Sequence, residues 1–134
     1  MRQSKHKQGT CYRCGNEDGL IKLTQRTNGL WSFICKECNG LKAKKYYEKR
    51  KAIVFEHYGN KCFCCSEAEP CFLSIDHINN DGHLEVWQTG KRVSGVHLYA
   101  KIVKAGFPDV YQLLCMNCNY GKRMNNGVCP HTSI

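Results

Sequence analysis

No run of apolar residues in this chain approaches the roughly 18 needed to cross a bilayer. The start, Met1-Arg2-Gln3-Ser4-Lys5-His6-Lys7, also lacks the apolar segment of a secretory leader. A soluble protein of the cytoplasm is therefore expected, with no membrane partner. Negative charge is scarce as well: 11 Asp and Glu stand against 20 Lys and Arg, a formal charge of +9. Such a balance favours a polyanionic partner such as nucleic acid or an anionic membrane surface, without by itself choosing between them. Length is the third shortage, because 134 residues suit one domain or two very small ones.

The excess charge is not spread evenly. Residues 1–61 hold 14 Lys and Arg with 5 Asp and Glu, whereas residues 62–134 hold 6 of each. Two functional halves are implied. What the chain has in plenty is cysteine, 11 residues. In a compartment that keeps thiols reduced, that density points to bound metal and away from disulfides.

Spacing shows how the cysteines group. Cys11-x-x-Cys14 and Cys35-x-x-Cys38 are two knuckles, each able to offer a pair of thiolates to one tetrahedral zinc. Between them Leu20–Leu23 and Leu30–Ile34 read as short strands joined through Asn28-Gly29, the pattern of a zinc ribbon or treble clef. A second quartet pairs Cys115-x-x-Cys118 with Cys62 and Cys65, since x-x spacing aims both sulfurs at one ion where adjacent residues diverge. Cys64 and Cys71 become buried thiols or spares. Cys129 and His131 offer only two donors, so packing is the expected fate of Cys129. Both zinc ions have closed coordination shells and serve structure alone.

Residues 40–59 carry apolar positions at helical period up to a stop at Gly59, predicting a basic linking helix of about 18 residues. Lys42, Lys44, Lys45, Lys49, Arg50 and Lys51 face one acid, Glu48, within it; a face so uniform in sign fits phosphate contacts. A second helix over residues 95–105 presents Leu98, Tyr99, Ile102 and Val103 as a packing face, and Gly106 with Pro108 closes it. His97 is read as a surface or hydrogen-bonded histidine.

Chemistry is concentrated at Asp76-His77, the end of a strand Phe72–Ile78. A carboxylate can hold a divalent metal while a neutral imidazole beside it takes a proton from water. Downstream, residues 110–114 read as a strand entering the Cys115 knuckle, with a helix to follow, so Asn119 falls on its first turn. The zinc of Cys62, Cys65, Cys115 and Cys118 then gathers positions 76, 77 and 119 into one site.

Cys62-x-x-Cys65, Leu73–Gly82, Gly106-Phe107-Pro108 and Gln112-Leu113-Leu114-Cys115-x-x-Cys118-Asn119 together resemble the HNH endonucleases, the ββα-metal class, in the zinc-stabilised form met among phage enzymes. The likeness is tightest over residues 60–131 and looser before them. It implies a small α+β, zinc-stabilised protein: a zinc-ribbon-like DNA-binding unit at 1–39, the basic helix at 40–59 and a nuclease domain at 60–134. It further implies a metal-dependent endonuclease or nicking enzyme on double-stranded DNA, working as a monomer or weak dimer, in the host cytoplasm if phage-encoded. His77 is then the general base, and Asp76 with the Asn119 oxygen holds one catalytic Mg²⁺ or Mn²⁺. Lys122 and Arg123 are expected to contact the phosphate backbone. Cleavage would leave 5′-phosphate and 3′-hydroxyl ends.

Two departures from the family stand out. Its final His is Asn119 here, the His-Asn-Asn variant, which keeps an oxygen donor. Its middle Asn falls near Val110 and Asp109, so no side chain is evident to orient His77, and a backbone carbonyl is the substitute expected. His83 is read as a loop residue. The competing reading is a non-catalytic zinc-ribbon protein that binds DNA or RNA; thiol redox chemistry fits poorly with knuckles arranged as quartets. Two four-thiolate zinc sites would lower the formal charge to about +5, with about +7 in the first half and about −2 in the second.

Overall fold

The computed structural model describes residues 9–86, 88–93 and 95–132. The first eight residues, with which the expected N-terminal unit begins, lie outside them. Among the described residues the fold is small α+β, with two two-stranded antiparallel sheets and three α-helices. β1 (Leu20–Gln25) pairs with β2 (Trp31–Cys35), and β3 (Leu73–His77) pairs with β4 (Tyr111–Cys115). The helices are α1 (Lys36–His57), α2 (Val96–Lys104) and α3 (Met116–Met124). The chain divides into two compact units, Met1–Tyr46 and Tyr47–Ile134, with the boundary inside α1.

Each unit repeats one local plan. In the first, the Cys11 amide donates to Asn16 O and the Gly15 amide to Cys11 O; in the second, Cys62 donates to Glu67 O and Ser66 to Cys62 O. The fourth residue after each leading cysteine has positive φ, Gly15 at 79° and Ser66 at 64°. That is the left-handed turn a knuckle needs, natural for glycine and strained for serine. Each knuckle then docks on its sheet through the next amide, Tyr12 to Phe33 O and Phe63 to Leu113 O. Leu20 lies opposite Cys35 and Leu73 opposite Cys115, so the third cysteine of each quartet ends the second strand.

A helix begins at the next residue in both cases. The Cys38 amide donates to Cys35 Sγ and the Cys118 amide to Cys115 Sγ, each at 3.4 Å, so a sulfur serves where an oxygen usually caps. This is why α1 starts at Lys36 and not at residue 40 as the apolar spacing suggests. Sequence periodicity sees the apolar stripe, while the helix is nucleated four residues earlier by the strand end and its knuckle.

The units differ in what joins their strands. Five residues, 26–30, link β1 to β2, whereas residues 78–110 link β3 to β4 and carry α2. The second unit has a core of Val54, Phe55, Leu73, Tyr99, Ile102, Leu113 and Leu114 among its buried residues. Among the described residues of the first, the buried cluster is Cys11, Ile34 and Cys35, with Tyr12, Leu20, Ile21, Leu23 and Cys38 packed on it half-buried, little apolar surface to hold so small a unit unaided. No helix among the described residues is long and apolar enough to cross a membrane.

Candidate metal centres and active site

Two groups of four thiols converge as the spacing predicts: Cys11, Cys14, Cys35 and Cys38, and Cys62, Cys65, Cys115 and Cys118. Cys14 and Cys35 sulfurs lie 3.7 Å apart, and those of Cys65 and Cys115 3.6 Å. Sulfurs roughly 2.3 Å from a tetrahedral zinc stand about 3.8 Å from each other, so both quartets have the size of that ion's shell. Equivalent cysteines behave alike. Burial pushes the Cys11 and Cys62 thiols up, but backbone hydrogen bonds outweigh it: the thiol of Cys11 falls to about 6 and that of Cys62 to about 7. The amides involved belong to Cys35, Cys14 and Arg13 in one unit and to Cys115, Cys65 and Cys64 in the other. Such amides favour thiolate, the form that binds metal.

The remaining cysteines do not behave as one class. Cys71 is exposed and donates to Glu69 Oε1 at 3.1 Å. Cys64 and Cys129, expected as spare or packing thiols, instead meet each other, Cys118 and His131 in a third group of four donors.

Asp76 and His77 end β3, and the two side chains take different partners. Asp76, opposite Gln112 in the sheet, accepts from Gln112 Nε2 at 2.7 Å and from Lys122 Nζ at 2.6 Å, both on Oδ2. Lys122 Nζ also donates to His77 O at 2.8 Å and Ile78 O at 3.1 Å. All three ammonium hydrogens are thereby used. Lys122 is buried, with 5% exposure, and pins α3 to the end of β3. Its expected part in DNA contact is therefore corrected: a lysine with no proton left to offer and no surface cannot reach a phosphate. Arg123, one residue on, is exposed and lines the cleft beside His77.

His77 has a side-chain partner that sequence reading missed. Its Nε2 lies 2.6 Å from Glu85 Oε2, and Glu85 also accepts from Tyr111 Oη at 2.6 Å and from Lys101 Nζ, both on Oε1. Burial pushes the Glu85 carboxyl up, yet the hydrogen bonds from Lys101, Tyr111 and His77 hold it below its usual range. An ionised carboxylate only accepts, so Nε2 of His77 carries the hydrogen, and among the described residues nothing donates to Nδ1, which is left as the acceptor. Two neighbours fix the ring plane. Tyr111 packs at a ring distance of 4.9 Å and 64°, and Gly82 approaches so closely that a Cβ there would sit 2.6 Å from Nδ1. The Glu85 backbone is itself held, accepting from the Val93 amide at 3.0 Å. Glu85 is one of two acids between His77 and Asp109, the only hint of it in the sequence.

Asp76, His77, Asn119 and Arg123 line one open cleft of about 550 Å³, together with His83 and Arg92. Asn119 Nδ2 donates to Ser74 Oγ at 3.1 Å, which assigns the amide and leaves its Oδ1 as a donor atom for a ligand. Asp76 keeps Oδ1 clear of both bonds on Oδ2. Asp and Asn side chains are the kind of oxygen ligand that a hard, mostly hydrated cation takes, and both line this cleft. Lys122 cancels the Asp76 charge, so such a cation would gain much of its attraction from an anionic substrate. Arg92 was not among the expected residues, and His83, expected as a loop residue, reaches the cleft from a short 3-10 turn over Gly82–Leu84. Of the helix cations, Lys44, Lys45 and Lys49 are exposed, whereas Lys42, Arg50 and Lys51 are half-buried. Lys51 Nζ donates to Pro70 O at 3.4 Å and lies 4.9 Å from the centre of the Phe55 ring.

No protein family, curated protein or solved structure matches the chain.

Proposed function

We propose that the second unit hydrolyses DNA phosphodiester bonds, making the chain a metal-dependent endonuclease or nicking enzyme of the HNH, ββα-metal kind. The observation that carries this reading is the contact of His77 with Glu85, at 2.6 Å, while His77 itself lines a cleft with Asp76, Asn119 and two arginines. A histidine that only filled a core would need neither a carboxylate on one ring nitrogen nor a place on a solvent cleft.

His77 Nδ1 takes a proton from water as the oxygen attacks phosphorus. Glu85 stabilises the imidazolium that results, and Gly82 with Tyr111 keeps the ring in the attacking orientation. Mg²⁺ or Mn²⁺, held by Asp76 Oδ1 and Asn119 Oδ1, would neutralise the scissile phosphate and the departing 3′ oxygen. Arg92 and Arg123 grip flanking phosphates, the bond to the 3′ oxygen breaks, and the products are a 5′-phosphate and a 3′-hydroxyl. Zinc in the two thiol quartets holds both units in shape. The first unit, as a zinc ribbon or treble clef, and the exposed lysines of α1 supply the affinity for DNA that a neutral catalytic half lacks.

Supercoiled plasmid incubated with the protein and Mg²⁺, Mn²⁺ or EDTA tests the reading. Metal-dependent conversion to nicked or linear DNA is expected, and His77→Ala should abolish it. Binding of the same plasmid with no metal-dependent cutting would discard the nuclease and leave a zinc-dependent DNA-binding protein.

A further inference from the structure

Beyond that function, and independently of it, the third donor group calls for its own account. Cys64, Cys118, Cys129 and His131 bring their ligand atoms within 4.8 Å of one another, and Cys118 also belongs to the second quartet. We propose that the second unit holds two zinc ions, bridged by the Cys118 thiolate: one bound by Cys62, Cys65, Cys115 and Cys118, the other by Cys118, Cys64, Cys129 and His131.

The geometry comes from three separate stretches of chain. Cys64 lies within the knuckle, between the two thiols that serve the first ion, so its side chain leaves the same turn in another direction. Cys118 sits in the first turn of α3, where it is 1% exposed. Cys129 and His131 belong to a 3-10 turn region beyond α3, drawn against the helix where Gly121 leaves room: a Cβ there would come within 3.1 Å of Pro130. The Thr132 amide and hydroxyl both donate to Cys129 O, at 2.9 and 2.7 Å, which fixes that turn.

Cys118 Sγ and His131 Nδ1 lie 3.4 Å apart, close to the roughly 3.5 Å expected for sulfur and nitrogen on one tetrahedral zinc. Cys64 and Cys129 sulfurs, at 3.1 Å, would open by about 0.7 Å to reach the sulfur edge of the same shell. Thiolate sulfur has lone pairs enough for two ions. Electrostatics agree, since adding one Zn²⁺ with two further thiolates and a neutral imidazole leaves the formal charge of the centre unchanged at about −2. Three soft donors and an imidazole around a shared sulfur also match zinc better than any hard cation. The second ion would tie the end of the described chain to the knuckle, and so clamp α3, which carries Asn119 and Lys122, from its far side.

Metal counting on the full chain decides the matter. Native mass spectrometry after purification with a reductant is expected to show three zinc ions per chain, one in the first unit and two in the second. The double variant Cys129→Ser/His131→Ala should hold two, with helical circular dichroism retained, and Cys64→Ser should match it. Replacement by Co²⁺ adds a signature that a merely structural role for these residues would not produce. Two cobalt ions sharing a thiolate couple magnetically, so the EPR signal per cobalt should be reduced in the wild type and recover in the double variant. A wild type holding two zinc ions would overturn the proposal. So would a Cys64–Cys129 disulfide, seen as a mass two units low, or three cobalt ions that give uncoupled spectra.

Discussion

Nε2 of His77 and Oε2 of Glu85 lie 2.6 Å apart, joining the end of β3 to the loop that precedes α2. The contact gives the imidazole a fixed tautomer and a counter-charge, the two properties that make a histidine an effective base at neutral pH. Tyr111 and Lys101 on the other carboxylate oxygen keep Glu85 from turning away.

Glu85→Gln keeps the size of the side chain but removes the charge that stabilises the imidazolium. Metal-dependent plasmid nicking should fall on the order of 100-fold, the lower end of what general acid–base catalysis contributes, while DNA binding stays the same. Nicking rates and gel-shift affinities measured together check this; an unchanged rate would remove Glu85 from the mechanism.

Acid stability should respond to the same substitution. The Glu85 carboxyl titrates below its usual value of 4.5 in the folded protein, because Lys101, Tyr111 and His77 outweigh the effect of burial. Its contribution to stability is thus complete above that value and lost as pH falls through the lower, folded one. Urea midpoints taken from pH 7 down to pH 3 should decline more steeply for the wild type than for Glu85→Gln at the acid end.

Gly82→Ala tests ring positioning. The added Cβ would meet His77 Nδ1 at 2.6 Å and Cε1 at 3.0 Å, so the imidazole or the turn must move. A displacement near 1 Å costs on the order of 100-fold in rate. Nicking should drop by about that factor with metal content unchanged. Gly40→Ala, in α1 with open space around it, should leave activity intact and stabilise by about 0.5–1 kcal/mol.

Local features were the legible ones. Each CxxC fixes its own turn within four residues, and Asp76-His77 is a pair of neighbours on one strand. Both quartets, and the place of Asp76 and His77 at the end of one strand, could therefore be read from spacing. Glu85 reaches His77 only through the path of the loop over residues 78–85, which no period encodes. Cys64 and Cys129 are 65 residues apart, and the close passage that joins them depends on Gly121 against Pro130. Lys122 misled because basic residues near a cleft suggest phosphate. It lies three residues after Asn119 on α3, and residues so spaced share a helix face. Once Asn119 turns inward to Ser74, Lys122 must follow, and the buried Asp76 is what makes that position tolerable for a cation.

The contrast between Lys122 and Arg123 follows from this. Lys122→Met should leave the Asp76 carboxylate buried without its charge partner, destabilising the second unit by about 3–5 kcal/mol in urea unfolding. Arg123→Ala should cost under about 0.5 kcal/mol, as exposed substitutions do, yet weaken DNA binding. Equal stability losses for the two would contradict the assignment of Lys122 to the interior.

Salt dependence separates the α1 cations in the same manner. Lys45 and Lys49 are exposed, while Lys51 is turned onto Pro70 O and the Phe55 ring. Each phosphate that a side chain neutralises steepens the fall of log affinity with log salt by about 0.9. Lys45→Ala/Lys49→Ala should therefore flatten that slope by about 2 on duplex DNA, and Lys51→Ala should change it by much less. Because the cleft beside His77, where cutting is proposed, is untouched, nicking by the double variant at saturating protein and low salt should approach the wild-type rate. A lowered rate under those conditions would mean that α1 takes part in the chemistry as well as in holding the duplex.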